Sequence, residues 1–204
     1  MRNGQIGQRA AQALLQHLGE KEASLAIRRL LWWHGTELSQ DDSTHGLMTY
    51  ALVCLSAPRS AVKWFGNWRE RASAPPWALL NLTCALRDLG RDEESRAVSS
   101  HALPLPPDNT FMEHRVWLAY DAARRGDGSE AETLLSVVDE KQVTGYYQFI
   151  IAITRFHLVV GRPDPTSCQA KDEAWLAVRR AWTDCFLFQT ALLRMGWRAS
   201  KITY

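Results

Sequence analysis

The sequence predicts an all-α protein built from repeated helical hairpins. Three observations carry that prediction. Apolar residues recur at spacings of three and four, as in Leu79, Leu82, Leu86 and Leu89, which is the period of one helix face. The same pattern returns at a nearly fixed interval along the chain. Gly90 and Gly126, and the group Pro104, Pro106 and Pro107, fall between the apolar runs and not within them, where a helix ends and cannot continue.

The interval defines the elements in order. Stepping back 34 residues from Leu82, Ala85 and Leu86 reaches Met48, Ala51 and Leu52. Stepping forward 36 takes Leu82 to Leu118, Leu86 to Ala122, Gly90 to Gly126, Glu94 to Glu130 and Ser95 to Ala131. A further 35 reaches Ile153, His157 and Gly161. The units so defined run over 42–75, 76–109, 112–145 and 147–182. A fainter one at 5–38 carries Ala11, Leu15 and Gly19, then Ala23, Ile27 and Leu31. Residues 162–170, RPDPTSCQA, read as an insertion, after which Glu173, Ala174, Val178 and Ala181 resume the pattern. Over 183–200, Phe186, Gln189, Leu192, Leu193 and Met195 make one side of a last amphipathic helix, with Arg194 and Arg198 toward water. A hairpin pair cannot bury its own apolar face, so such a helix is expected as a cap on a single domain spanning 1–204.

Each unit carries its own punctuation. Gly90 stands where a left-handed residue closes the first helix. Asp92 and the acids after it suit the positive end of the second. Ala61, Ser95 and Ala131 are small residues where two helices would cross closely. Ser56 takes the turn glycine's place in one unit, and no late proline follows Val138.

This pattern of paired large apolar residues, a glycine, Glu94-Ser95 or Glu130-Ala131, and a late proline at a period near 34 resembles the tetratricopeptide repeat (TPR) family. The chain departs from the family at Leu79-Leu80-Asn81-Leu82-Thr83, where a close-packed glycine is expected. The resemblance implies a right-handed α-α superhelix, a solenoid of about four to five hairpins plus the capping helix, whose first helices line a concave, peptide-binding groove. One register transferred across the units gives the groove rows. They run Tyr50, Cys84, Tyr120, Arg155; then Val53, Arg87, Ala123, Leu158, with Cys54, Asp88, Arg124 and Val159 beside them; and, one turn earlier, Gly46, Leu80, Val116, Ile151, flanked by Ser43, Trp77, Glu113 and Gln148. Tyrosines, a tryptophan and arginines suit a segment with aromatic or acidic groups. Related repeats that clamp the acidic tails of heat-shock chaperones use lysine and asparagine on these rows. Here those places hold apolar and aromatic residues, so that partner is not expected. The alternative for the same rows is packing against the C-terminal helix or another copy of the chain.

Composition narrows the function classes. A net charge of +2 argues against a dedicated nucleic-acid binder, and the apolar rows lack the polar code of RNA-reading helical repeats. The four cysteines lie far apart with no CxxC spacing, which reads as reduced thiols in an intracellular, cytoplasmic setting. No run approaches a membrane span. The N-terminus lacks a signal-peptide core. Arg2 and Arg9 in an acid-free stretch are features of transit peptides, but the stretch merges into the first repeat.

No catalytic constellation emerges, and the expectation is a non-enzyme without a cofactor. His34, Glu37, Asp41, Asp42 and His45 form the best metal candidate, yet they match no ligand spacing, and Asp42 or Ser43 reads better as a helix N-cap. Cys84 occupies an ordinary repeat position, and His157 falls on the packed face. Glu93 and Glu94 are adjacent on a helix and point apart. The function expected is therefore a protein-interaction scaffold that binds a peptide segment or partner subunit, with an accessory domain of a larger enzyme or regulator, or a small client-specific chaperone, as alternatives.

Overall fold

The computed structural model describes Leu15, His17 and residues 24–71, 73–108, 110–161 and 168–185. Among these residues there are nine α-helices, one 3-10 turn and no strand. The chain divides into two compact units, 1–108 and 109–204.

The first unit holds α1 (Ser24–Leu38), α2 (Asp42–Cys54), α3 (Pro58–Phe65), the 3-10 turn Trp68–Glu70, α4 (Pro76–Asp88) and α5 (Asp92–Ala102). α2 packs against α3 and α4, and α4 packs against α5, so the leading helices of two hairpins lie side by side. Leu15, Ile27, Leu38, Met48, Ala51 and Leu52 form one apolar cluster. Leu79, Leu82, Leu86, Val98 and Ala102 belong to the next. The second unit holds α6 (Phe111–Arg124), α7 (Gly128–Leu135), α8 (Gly145–Val160) and α9 (Cys168–Asp184), with α6 against α7 and α8, and α8 against α9. Met48, Leu82, Leu118 and Ile153 are all buried, and so are the small residues Ala61, Ser95 and Ala131. At one such crossing the Ser95 hydroxyl donates to the Thr83 carbonyl at 3.4 Å, and the Thr83 and Ser99 hydroxyls lie 3.2 Å apart.

Three of the helix ends share one geometry. Ser56, Gly90 and Gly126 have φ of 53°, 72° and 83°. The next residue in each case reaches back over the turn: Ala57 N to Leu52 O at 3.0 Å, Arg91 N to Leu86 O at 2.9 Å, and Asp127 N to Ala122 O at 2.9 Å. These are the six-to-one bonds of a Schellman motif. Gly161 differs. Its φ is −72°, and its N–H simply continues the helical pattern to His157 O at 2.9 Å.

Two longer clasps close the hairpins of the first unit. Asp42, at the start of α2, accepts from Arg71 at 2.8 Å and from the Ser73 hydroxyl. Asp108 accepts from the backbone N–H of Trp77, at the start of α4, at 2.9 Å. The N-cap of α2 is Asp41, whose carboxylate takes the Thr44 N–H at 2.7 Å. The sequence pattern instead points to Asp42 or Ser43 as the cap. The helix begins one residue earlier, which frees Asp42 for Arg71.

Close approach of α2 and α4 depends on Gly46. A Cβ there would lie 2.5 Å from the Ala78 Cβ and 2.8 Å from Trp77 Cη2. The close-packed glycine missing from α4 is thus supplied from α2. The first helix of the 5–38 unit, apart from Leu15 and His17, lies outside the described residues, as does 186–200 of the expected capping helix. Thr183 and Asp184 belong to α9, and Cys168 to Ala170 of the expected insertion form its first turn. The four cysteines are free thiols. No described helix is long and apolar enough to cross a membrane.

Candidate functional site

In the first unit, several of the residues expected to line a groove lie, together with Asn81, on a half-buried stripe. On α2 it carries Tyr50, Val53 and Cys54; on α4, Trp77, Asn81, Cys84, Arg87 and Asp88. The spacing of three and four along each helix keeps these side chains on one face. Trp77 lies over Gly46, and the Asn81 amide donates to the Trp77 carbonyl at 3.0 Å. Leu80 lies beneath the stripe, 8 % exposed.

In the second unit, α6 and α8 meet along an aromatic seam. The Tyr120 ring is edge-on to Trp117 at 5.9 Å and to His157 at 5.9 Å. The Arg124 guanidinium sits 5.6 Å from the Tyr120 ring centroid. Burial, and then the charge of Arg124, push the His157 pKa below its ordinary value. Val116 and Ile151 are 0 % and 1 % exposed and belong to the packed interior.

The same unit contains an open cleft of ≈ 670 Å³ between residues 138–141, α8 and α9. Gln148, Ile151, Ala152 and Arg155 of α8 face Ala177 and Ala181 of α9 across it. A shallower recess of ≈ 410 Å³ lies between Glu132, Leu135 and Ser136 of α7 and Arg155, Leu158 and Val159 of α8. Arg155 is a wall of both.

Two ties hold the 138–144 connection against α8. Gln148 Nε2 donates to the Glu140 carbonyl at 3.0 Å and to the Val143 carbonyl at 3.3 Å. Two helical turns later, the Arg155 guanidinium grips both Glu140 carboxylate oxygens, one of them at 3.3 Å. The pair is about half exposed, with side-chain exposures of 56 % and 45 %. An ion pair in that setting contributes only about 0–1 kcal/mol. Releasing Glu140 from Arg155 therefore costs little.

The structure thus brings Ile151 and Arg155 together with Gln148 in one cleft. It places Tyr50, Trp77, Cys84 and Arg87 on the half-buried face of the first unit, and Tyr120 with Arg124 in the α6–α8 seam. Leu80, Val116 and Ile151 have little or no free surface. Glu140 and Lys141 escaped sequence reasoning because their positions depend on a loop with no periodic signal. Ala177 and Ala181 were open to it: small residues four apart on one helix face leave room beside that helix.

The residues of the metal candidate disperse. His34 Nδ1 pairs with Glu37 at 3.2 Å, Asp41 caps α2, and Asp42 holds Arg71. His45 is buried, with its Nε2 3.2 Å from the Phe65 carbonyl. Its ring stacks on Trp64 at 4.8 Å and meets Phe65 edge-on at 5.3 Å. Burial, followed by the charge of Arg71, lowers its pKa to about 4. Among the described residues, no three His, Cys, Asp or Glu side chains converge as a metal site. Comparison with known proteins gave no matching family model, no matching curated protein and no matching solved structure.

Proposed function

We propose that the chain is a non-catalytic interaction scaffold of TPR-like hairpins, stacked in a right-handed superhelix, that holds a peptide segment or partner subunit along its leading helices. The observation that carries this reading is the cleft beside α8, where Gln148, Ile151 and Arg155 share one face and small α9 residues leave space opposite. The side-by-side packing of α2 with α4 and of α6 with α8 supports it, as do the matching left-handed turns at Ser56, Gly90 and Gly126. In this reading Arg155 receives an acidic side chain or chain terminus of the ligand in exchange for Glu140.

The test is affinity capture from native cells with the full chain and two variants. Arg155→Glu reverses the charge that receives the ligand. Ala177→Leu fills the cleft with apolar bulk. Partners held by the wild type and lost by both variants fit the proposal. An identical set of partners on all three proteins refutes it.

A further inference from the structure

The outward face of α1 is an unusual surface. Ile27 and Leu38 of this helix enter the apolar cluster of the first unit. At 3.6 residues per turn, Leu25 and Trp32 then point the other way, with Trp33 on the flank. Their exposures are 72 %, 86 % and 69 %. Large apolar groups gathered on one exposed helix face mark a contact surface more often than chance exposure does.

The charge pattern says what kind of contact. Arg28 and Arg29 are exposed on this face, and neither makes an ion pair with a described residue. Arg91, Arg96 and Arg125, by contrast, hold carboxylates: Arg91 to Glu94 and Arg96 to Glu93, each at 2.6 Å, and Arg125 to Glu130 at 2.8 Å. Among the described residues, the carboxylate of α1 itself, Glu37, is engaged by His34. Among the described residues the face therefore combines two cations with two tryptophans, and no carboxylate pairs with either arginine.

We propose that the outward face of α1 docks an acidic amphipathic segment of a partner protein. Its carboxylates pair with Arg28 and Arg29, and its apolar side chains cover Trp32, Trp33 and Leu25. Tryptophan and arginine are the residue types that dominate binding energy at protein contacts, whereas lysine is depleted there. α1 contains no lysine. A second copy of the chain would bring the same two arginines and no additional carboxylate on this face. A lipid surface needs a continuous apolar stripe, and here Arg29 and Thr36 interrupt it. This site is separate from the cleft beside α8 and stands or falls independently of it.

The experiment uses the full chain and a short synthetic peptide with leucine and glutamate at helical spacing. Its counterpart carries lysine for glutamate. The expected result is binding of the acidic peptide alone, with tryptophan emission moving to shorter wavelength. Arg28→Glu/Arg29→Glu and Trp32→Ala/Trp33→Ala each weaken that binding by about tenfold or more while far-ultraviolet circular dichroism stays unchanged. Equal binding of both peptides, or acidic-peptide binding that survives both double variants, overturns the proposal. So does a dimer in sedimentation that Trp32→Ala dissolves, which assigns the face to a second copy. Uptake by phosphatidylserine vesicles in place of the peptide overturns it too, in favour of a membrane.

Discussion

Replacing Gly90 with alanine adds one methyl group to empty space. Nothing lies within 4 Å of the position that the new Cβ takes, and the same holds at Gly126. Packing therefore contributes nothing to the outcome, and the effect is conformational alone. Both residues sit in the left-handed region, at φ of 72° and 83°. An L residue held there costs about 1–2 kcal/mol. Alanine also restricts the unfolded chain, which returns about 0.4–1 kcal/mol. The expected net loss is about 1 kcal/mol at either site. Ser56 already carries the strained geometry, at φ 53°, so Ser56→Gly reverses the sign and stabilises by up to about 1 kcal/mol. Gly90 and Ser56 lie in the same compact unit and Gly126 in the other, so the first two variants report on one unfolding event. Urea titration followed by circular dichroism measures them, and a slope of about 1–3 kcal/mol per molar turns 1 kcal/mol into a midpoint shift of about 0.3–1 M. If Gly90→Ala leaves the midpoint unchanged, or if Ser56→Gly lowers it, the turn geometry does not carry the energy assigned to it.

Two further measurements address the first unit. With the His45 pKa lowered to about 4 from 6.5, the folded state resists protonation more than the unfolded chain does. The stability it supplies is whole above pH 6.5 and drains away as pH falls through 4, by about 3 kcal/mol in total. His45→Gln removes that part of the slope, and urea midpoints between pH 7 and 4 that fall equally in both proteins would count against the assignment. Gly46→Ala drives a Cβ to 2.5 Å from the Ala78 Cβ and is expected to cost about 1–3 kcal/mol through overpacking. Adding Ala78→Gly relieves the clash, and a double variant no more stable than Gly46→Ala alone would show that the two positions are not coupled.

The helices were legible because their signals are local. Spacings of three and four, and a glycine or serine at each turn, mark hairpins such as α4–α5 without knowledge of their surroundings. The register transferred between units also selected residues sharing a face, as with Ile151 and Arg155. It could not give depth. Leu80 and Val116 share a row with Gly46, and there the row is where neighbouring helices touch, so it is closed to a ligand. Gly161 aligns with Gly126 yet lacks the left-handed turn, with φ of −72°. The cleft escaped for a related reason. Its second wall hangs on Glu140, whose place is fixed by Gln148 and Arg155 across a loop, and such long-range ties leave no periodic trace.

The clasps at the two ends of the first unit's hairpins have a kinetic consequence. Asp42 meets Ser73, and Trp77 meets Asp108, each across 31 residues. A hairpin tied at both ends cannot unzip gradually from its open side, because loosening either terminus releases the other. Amide protons of α4 and α5 should therefore exchange with solvent at one common free energy of opening, as a single cooperative module. Asp108→Ala should split that value, letting the first turn of α4 exchange ahead of the rest.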